Sequence, residues 1–224
     1  MAVCTIRIFS LFERIWHWSQ ALSIFILIFT GLAIHGTHDL IDFGLAVTIH
    51  TIVALALLVL WAFATFWLFT TGELRHFIPT MTPTCRSTLL SVARYYAYGI
   101  FKGEHHPYEK TMLRKHNPLQ GVSYLTLKIV VFPAIWISGI AYLLESVGLV
   151  DLSAILGVGL VAIIHTAAAV VIIMFVILHI YLLTTGHSFK AHLMPMINGK
   201  DEVDLTKDQY DYLLVNEPKR LDID

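Results

Sequence analysis

Apolar residues fill four long stretches of the chain, roughly 15–35, 45–69, 122–144 and 157–184. Each is about as long as the ~20 residues a helix needs to cross the hydrocarbon core of a bilayer, or longer. The first joint between them, GTHDLIDFG, and the third, ESVGLVDLSA, contain no Lys or Arg. The second joint, residues 70–121, holds seven basic residues: Arg75, Arg86, Arg94, Lys102, Lys110, Arg114 and Lys115. Arg7 and Arg14 precede most of the first stretch, and five more basic residues follow the fourth. Lys and Arg gather on cytoplasmic flanks. The pattern therefore predicts an all-α fold, a four-transmembrane-helix bundle with both termini and the long central loop cytoplasmic. Within that loop, RSTLLSVARYYAYGIF (86–101) alternates apolar and polar positions at helical spacing, which predicts an amphipathic helix at the membrane surface. From Asn198 onward the chain is charged and polar. That predicts a cytoplasmic extension, either partner-binding or partly disordered. The expected division is a membrane domain over 1–190 and a C-terminal tail over 191–224.

Composition agrees with this placement. Of 224 residues, 57% are hydrophobic and 14% charged, against roughly 25% charged in soluble domains, and the mean hydropathy is +0.71. A formal net charge of −1 gives no argument for a nucleic-acid partner. Cys4 and Cys85 show no CxxC spacing and fall on segments expected in the cytoplasm, so no disulfide is expected. The first apolar run ends in GLAIHGTHDLID rather than a small-residue cleavage site, so it is expected to stay as an anchor.

Twelve histidines bring in the chemistry. An ionisable residue inside a span is costly and marks a function by default. Four qualify: His17 in the first span, His50 in the second, His165 and His179 in the fourth. His165 and His179 are 14 residues apart, about 21 Å of helical rise and nearly four full turns, so both rings leave one face at two depths. The topology then pairs His17 with His179 at the inner level and His50 with His165 at the outer level. Two such pairs suit two bis-histidine haems. With both axial positions filled by imidazole, iron is closed to substrate and passes electrons only. Each ligating ring needs its second nitrogen satisfied by a carbonyl or hydroxyl. Gly31, Gly139 and Ala167 to Ala169 would leave room for a flat macrocycle. No CxxCH occurs, so any haem is noncovalent.

Other readings stay open. A small metal- or proton-handling transporter is the alternative, against which zinc would cluster four ligands at one level and a proton relay would usually include carboxylates. A cofactor-free anchor would use the imidazoles only as interhelical donors. His35, His38, His76, His105, His106 and His192 read as solvated, and His187 as an interface residue.

RIWHW, the TG of FTGLA, YYAYGIF, HNPLQGVSY, ISGI and the His165–His179 pair give the chain, from about 10 to 190, a resemblance to a known family. It resembles the four-span, di-haem cytochrome b subunits of nickel–iron hydrogenases, periplasmic formate dehydrogenases and thiosulfate reductases. The resemblance implies a multi-pass protein of the bacterial inner membrane, carrying two noncovalent haem b groups. It would pass electrons between a periplasmic-side iron–sulfur or c-type cytochrome subunit and the quinone pool, with menaquinone or ubiquinone as the exchangeable substrate. His50 and His165 would hold the outer haem, His17 and His179 the inner one, and Asn117 would match a quinone-pocket position. Lys128, about a turn and a half into the third span, would either snorkel to the interface or meet a haem propionate or quinone oxygen. Arg14, Arg75 and Arg94 are alternative propionate partners.

Overall fold

Ser10 starts the first long helix. Its side chain accepts from the Glu13 amide at 3.2 Å, while its own amide donates to Glu13 Oε2 at 2.7 Å. This reciprocal capping box satisfies two amides that a helix start otherwise leaves bare. The structure, a computed structural model, describes residues 2–72, 83–104, 107, 118–155, 157–184, 189–216, 218 and 221. In chain order the elements are β1 (Ala2–Arg7), α1 (Leu11–Ile34), α2 (Phe43–Thr71), α3 (Pro83–Ala97), α4 (Pro118–Thr126), α5 (Phe132–Ser146), α6 (Leu152–Ile155), α7 (Val158–Thr184), α8 (Phe189–Asn198), β2 (Lys200–Leu205) and α9 (Lys207–Asn216).

Four helices are long and apolar enough to cross a membrane: Leu11–Ile34, Phe43–Thr71, Leu119–Ser146 and Val158–Thr184. All four sit where the hydropathy pattern puts them. They leave many large apolar side chains uncovered, among them Phe25, Phe63, Phe66, Ile137 and Ile163. In water such a surface would drive association, whereas against acyl chains it is the natural exterior. The loop helix is also present as α3, followed by a single turn at Gly99–Lys102. The third span is not a uniform α-helix. Leu127–Val131 form a π turn between α4 and α5, with the Phe132 amide reaching back to the Leu127 carbonyl. Pro133 supplies a reason. It has no N–H to offer the carbonyl four residues back, and its ring crowds that carbonyl, so the preceding turn widens.

The described residues divide into two units, Met1–Trp67 with Ala169–Asp224, and Leu68–Ala168. The first unit holds a feature outside the all-α expectation. β1 and β2 pair antiparallel, from Ala2 opposite Leu205 to Arg7 opposite Lys200. Ile6 and Leu205 are buried there with Leu213 of α9 and Leu221, which bridges to Ile6. The segment expected to trail as a polar extension is thus folded onto the N-terminus. Antiparallel pairing of the two ends holds both on the same side of the spans, as an even number of crossings requires.

This cap is fastened to the start of α1. Arg14 Nη1 donates to the Ile197 carbonyl at 2.5 Å and Trp18 Nε1 to the Met196 carbonyl at 3.0 Å. The Ile8 and Phe9 amides both donate to the Gly199 carbonyl, at 2.8 and 3.2 Å. Gly199 turns the chain from α8 into β2 with φ +83°, and a Cβ there would meet the Phe9 carbonyl oxygen at 2.7 Å. Gly36 has φ +69° but nothing within 4 Å. Gly36→Ala should therefore carry only the left-handed backbone cost of about 1–2 kcal/mol. Gly199→Ala adds a backbone clash that must break the cap. Limited proteolysis in detergent should cut within 200–216 faster in Gly199→Ala than in Gly36→Ala. Equal rates would mean the cap is not held at this turn.

Candidate functional site

Histidines occur at two levels within the first unit. At the capped end, His17 of α1 faces His179 of α7, with ring centroids 6.3 Å apart and planes inclined by 54°. Phe175 stacks on His179 one turn earlier, at 5.8 Å and 16°. Trp18 meets His17 edge-on at 5.2 Å, and it is the residue that also holds the α8 carbonyl. Two side-chain atoms beside this pair, His17 Nδ1 and Gln20 Oε1, are buried with no hydrogen-bond partner among the described residues. Orphaned polar atoms in an apolar span are expensive, and such a pair marks a place where a further group belongs.

Thirteen residues along α1, about 20 Å of rise, Thr30 lies against His50 of α2 with Oγ1 2.9 Å from Nδ1. The Thr30 hydroxyl is also 2.8 Å from the Ile26 carbonyl one turn back, to which it donates. Gly31 lies alongside, and a Cβ at that position would sit 3.6 Å from His50 Cε1.

The second unit carries His165, half-buried near the start of α7. Its Nδ1 is 3.0 Å from Ser138 Oγ and 3.1 Å from the Ile135 carbonyl, both on α5. Ser138 donates to the Ala134 carbonyl at 2.7 Å. A Cβ at Gly139 would come within 3.3 Å of His165 Cε1, and Tyr142 approaches the ring edge-on at 6.1 Å. Gly139 thus leaves room for the His165 edge as well as being a residue expected to clear a macrocycle, whereas a Cβ at Gly31 would make only ordinary contact with His50.

Of the remaining residues singled out, Lys128 lies in the π turn with its Nζ buried. The span begins at Leu119, so Lys128 is two and a half turns in rather than one and a half. Arg94 is ion-paired with Glu104 at 2.9 Å, and Arg14 is committed to the tail carbonyl. Asn117, Arg75 and His187 lie outside the described residues. Thr30, Ser138 and the Ile135 carbonyl were missed as partners of the histidines. A signal for the two hydroxyls was present in TG and SG dipeptides at the depths of His50 and His165.

A family model described as prokaryotic cytochrome b561 matches residues 8–199. The chain belongs to the prokaryotic cytochrome b561 family. Within it, the chain is similar to the Escherichia coli (strain K12) protein YdhU, which is named as a candidate cytochrome. The two are 28% identical over 196 residues, covering 87% of this chain and 74% of that one. No solved structure matches the chain. Cytochromes of this family bind haem b, and the chain's own residues accommodate that group. A metal–imidazole nitrogen bond is about 2.0 Å, so two rings on one metal have centroids roughly 6.2 Å apart. The His17–His179 separation of 6.3 Å fits.

The two glycines differ in how much room they spare. Gly31→Ala should be accepted with a helix-propensity gain of up to about 1 kcal/mol. Gly139→Ala must push His165 aside by a few tenths of an ångström. Haem retained through detergent purification should fall in Gly139→Ala and hold in Gly31→Ala. Equal retention would show that the imidazole edge at Gly139 is not constrained.

Proposed function

We infer that this protein is the di-haem electron-transfer subunit of a membrane oxidoreductase complex, exchanging electrons between a redox subunit outside the cell membrane and quinone within it. The reading is carried by the opposed His17 and His179 rings, 6.3 Å apart inside apolar spans. Neither a solvated surface histidine nor a lone interhelical donor needs that arrangement. Haem b, when bound, supplies a one-electron couple whose potential follows its axial ligands, hydrogen bonds and burial.

The chain's residues have separable tasks in this scheme. His17 and His179 hold one haem. His50 and His165 hold the other, an assignment that rests on their matching depth in the sequence and on family resemblance. An imidazole from each of two spans would keep water and small substrates off the iron, and the apolar spans would keep bulk water from the path. The spacing of about 20 Å along α1 between His17 and Thr30, with its partner His50, sets two levels, enough for an electron to cross most of the hydrocarbon layer in one relay.

The same reading places both termini and the 191–224 segment in the cytoplasm, in a bacterial inner membrane, with the His17 level innermost. Lys128 and Asn117 would then contribute to a quinone or propionate contact. Menaquinone or ubiquinone would be the exchangeable substrate. The outside partner would be an iron–sulfur or c-type cytochrome subunit.

A dithionite-reduced minus oxidised spectrum of purified protein should show a b-type α-band, with two haems per chain extractable by acid acetone. His17→Ala and His179→Ala should each remove one haem and leave the same one behind. His50→Ala and His165→Ala should each leave the other. A colourless protein, or four variants that do not sort into these two pairs, overturns the assignment.

A further inference from the structure

His50 and His165 are each held by the same local device, built twice from unrelated stretches of chain. In α1, Thr30 turns its hydroxyl proton onto the carbonyls of its own preceding turn, 2.8 Å from Ile26 O and 3.3 Å from Leu27 O. In α5, Ser138 does the same, 2.7 Å from Ala134 O and 3.1 Å from Ile135 O. A hydroxyl has one proton and two lone pairs. With the proton spent inside its helix, each oxygen can only accept from the imidazole beside it. Nδ1 of His50, at 2.9 Å, and Nδ1 of His165, at 3.0 Å, must then carry the hydrogen. His165 gives an independent check. Its Nδ1 also lies 3.1 Å from the Ile135 carbonyl, which has no proton to give. A neutral ring protonated on Nδ1 keeps its in-plane lone pair on Nε2. The glycine that follows each hydroxyl residue, Gly31 or Gly139, leaves the Cε1 edge between the two nitrogens uncrowded.

His17 offers the contrast. Its Nδ1 is buried and has no hydrogen-bond partner among the described residues, so no acceptor fixes which nitrogen holds the hydrogen.

We propose that Thr30 and Ser138 are positioning residues that set the tautomer and the electron-donating strength of His50 and His165 toward the haem iron. The proposal rests on the di-haem reading above. An Nδ1–H that donates to oxygen makes the opposite nitrogen a more basic ligand. A more basic ligand favours oxidised iron, so these contacts lower the potential of the haem that the two histidines hold. The two contributions are unequal. Thr30→Val takes away the acceptor 2.9 Å from His50 Nδ1, whereas Ser138→Ala leaves His165 the Ile135 carbonyl.

The test is a spectroelectrochemical titration of the purified wild-type protein, Thr30→Val, Ser138→Ala, and the conservative variants Thr30→Ser and Ser138→Thr. Haem content is measured on each by the pyridine haemochrome. One of the two midpoint potentials should rise while the other stays at its wild-type value. The rise should correspond to about a tenfold change in the ratio of oxidised to reduced iron affinity for Thr30→Val. For Ser138→Ala it should be about threefold. At 59 mV per decade for a one-electron couple, these are about 60 and 30 mV. Thr30→Ser and Ser138→Thr should restore wild-type values. Loss of one haem in Thr30→Val, with the other potential intact and both haems present in Thr30→Ser, also supports the assignment. Two haems with unmoved potentials in both Thr30→Val and Ser138→Ala would overturn it. Wild-type protein without haem would instead sink the functional reading on which it stands.

Discussion

An imidazole placed in hydrocarbon must have both of its nitrogens accounted for. Burying one unpaired polar atom costs several kcal/mol, and the spans that carry the histidines offer little that could hydrogen-bond. Much of the local design follows from that constraint. Thr30 and Ser138 each stand next to a glycine, and at Gly139 a Cβ would crowd the His165 ring at 3.3 Å. The hydroxyls donate backwards into their own helices, which spends their protons without a further partner. On the proposed assignment each ring commits Nδ1 to oxygen and keeps its basicity on Nε2, the state a metal needs in a ligand.

The same principle explains why the capped end is built differently. His17 and His179 are flanked by aromatic rings, Trp18 and Phe175, rather than by hydroxyls. Trp18 uses its indole N–H on the Met196 carbonyl, so it links the ring neighbour of His17 to the last turn of α8. Arg14, one turn before His17, binds the next carbonyl along. Packing around this histidine pair is therefore continuous with the folded C-terminal segment, whereas the described hydrogen bonds of His50 and His165 are to groups within the spans.

The spans and their order were legible because each writes itself into hydropathy over twenty residues or more, and the loop helix because apolar and polar positions alternate at helical spacing along it. The four histidines stood out because so few other polar groups share their segments. The sheet was not legible. β2 reads KDEVDL, with alternating apolar positions too few to separate it from a charged loop, and its partner AVCTIR is distant in sequence. Only tertiary pairing makes either a strand. The π turn was hidden for a related reason: Pro133 announces a disturbance, but whether the chain kinks, breaks or widens depends on what surrounds it. Thr30 and Ser138 were visible as residues yet silent as partners, since a hydroxyl that satisfies its own helix gives no outward sign of having a spare lone pair.

Joining the first strand to nearly the last has a consequence for how the molecule is made. Ala2–Arg7 leave the ribosome well before their partner Lys200–Leu205, which follows about two hundred residues later. At the usual 5–20 residues per second, that is a wait of roughly ten to forty seconds. Throughout that interval the opening segment has an unsatisfied hydrogen-bonding edge, while each successive helix is threaded into the bilayer. The sheet can close only on a polypeptide whose insertion has come out with its two ends together. A chain that skipped one crossing would strand its ends on opposite faces and never seal, so the cap closes only when the number of crossings is even.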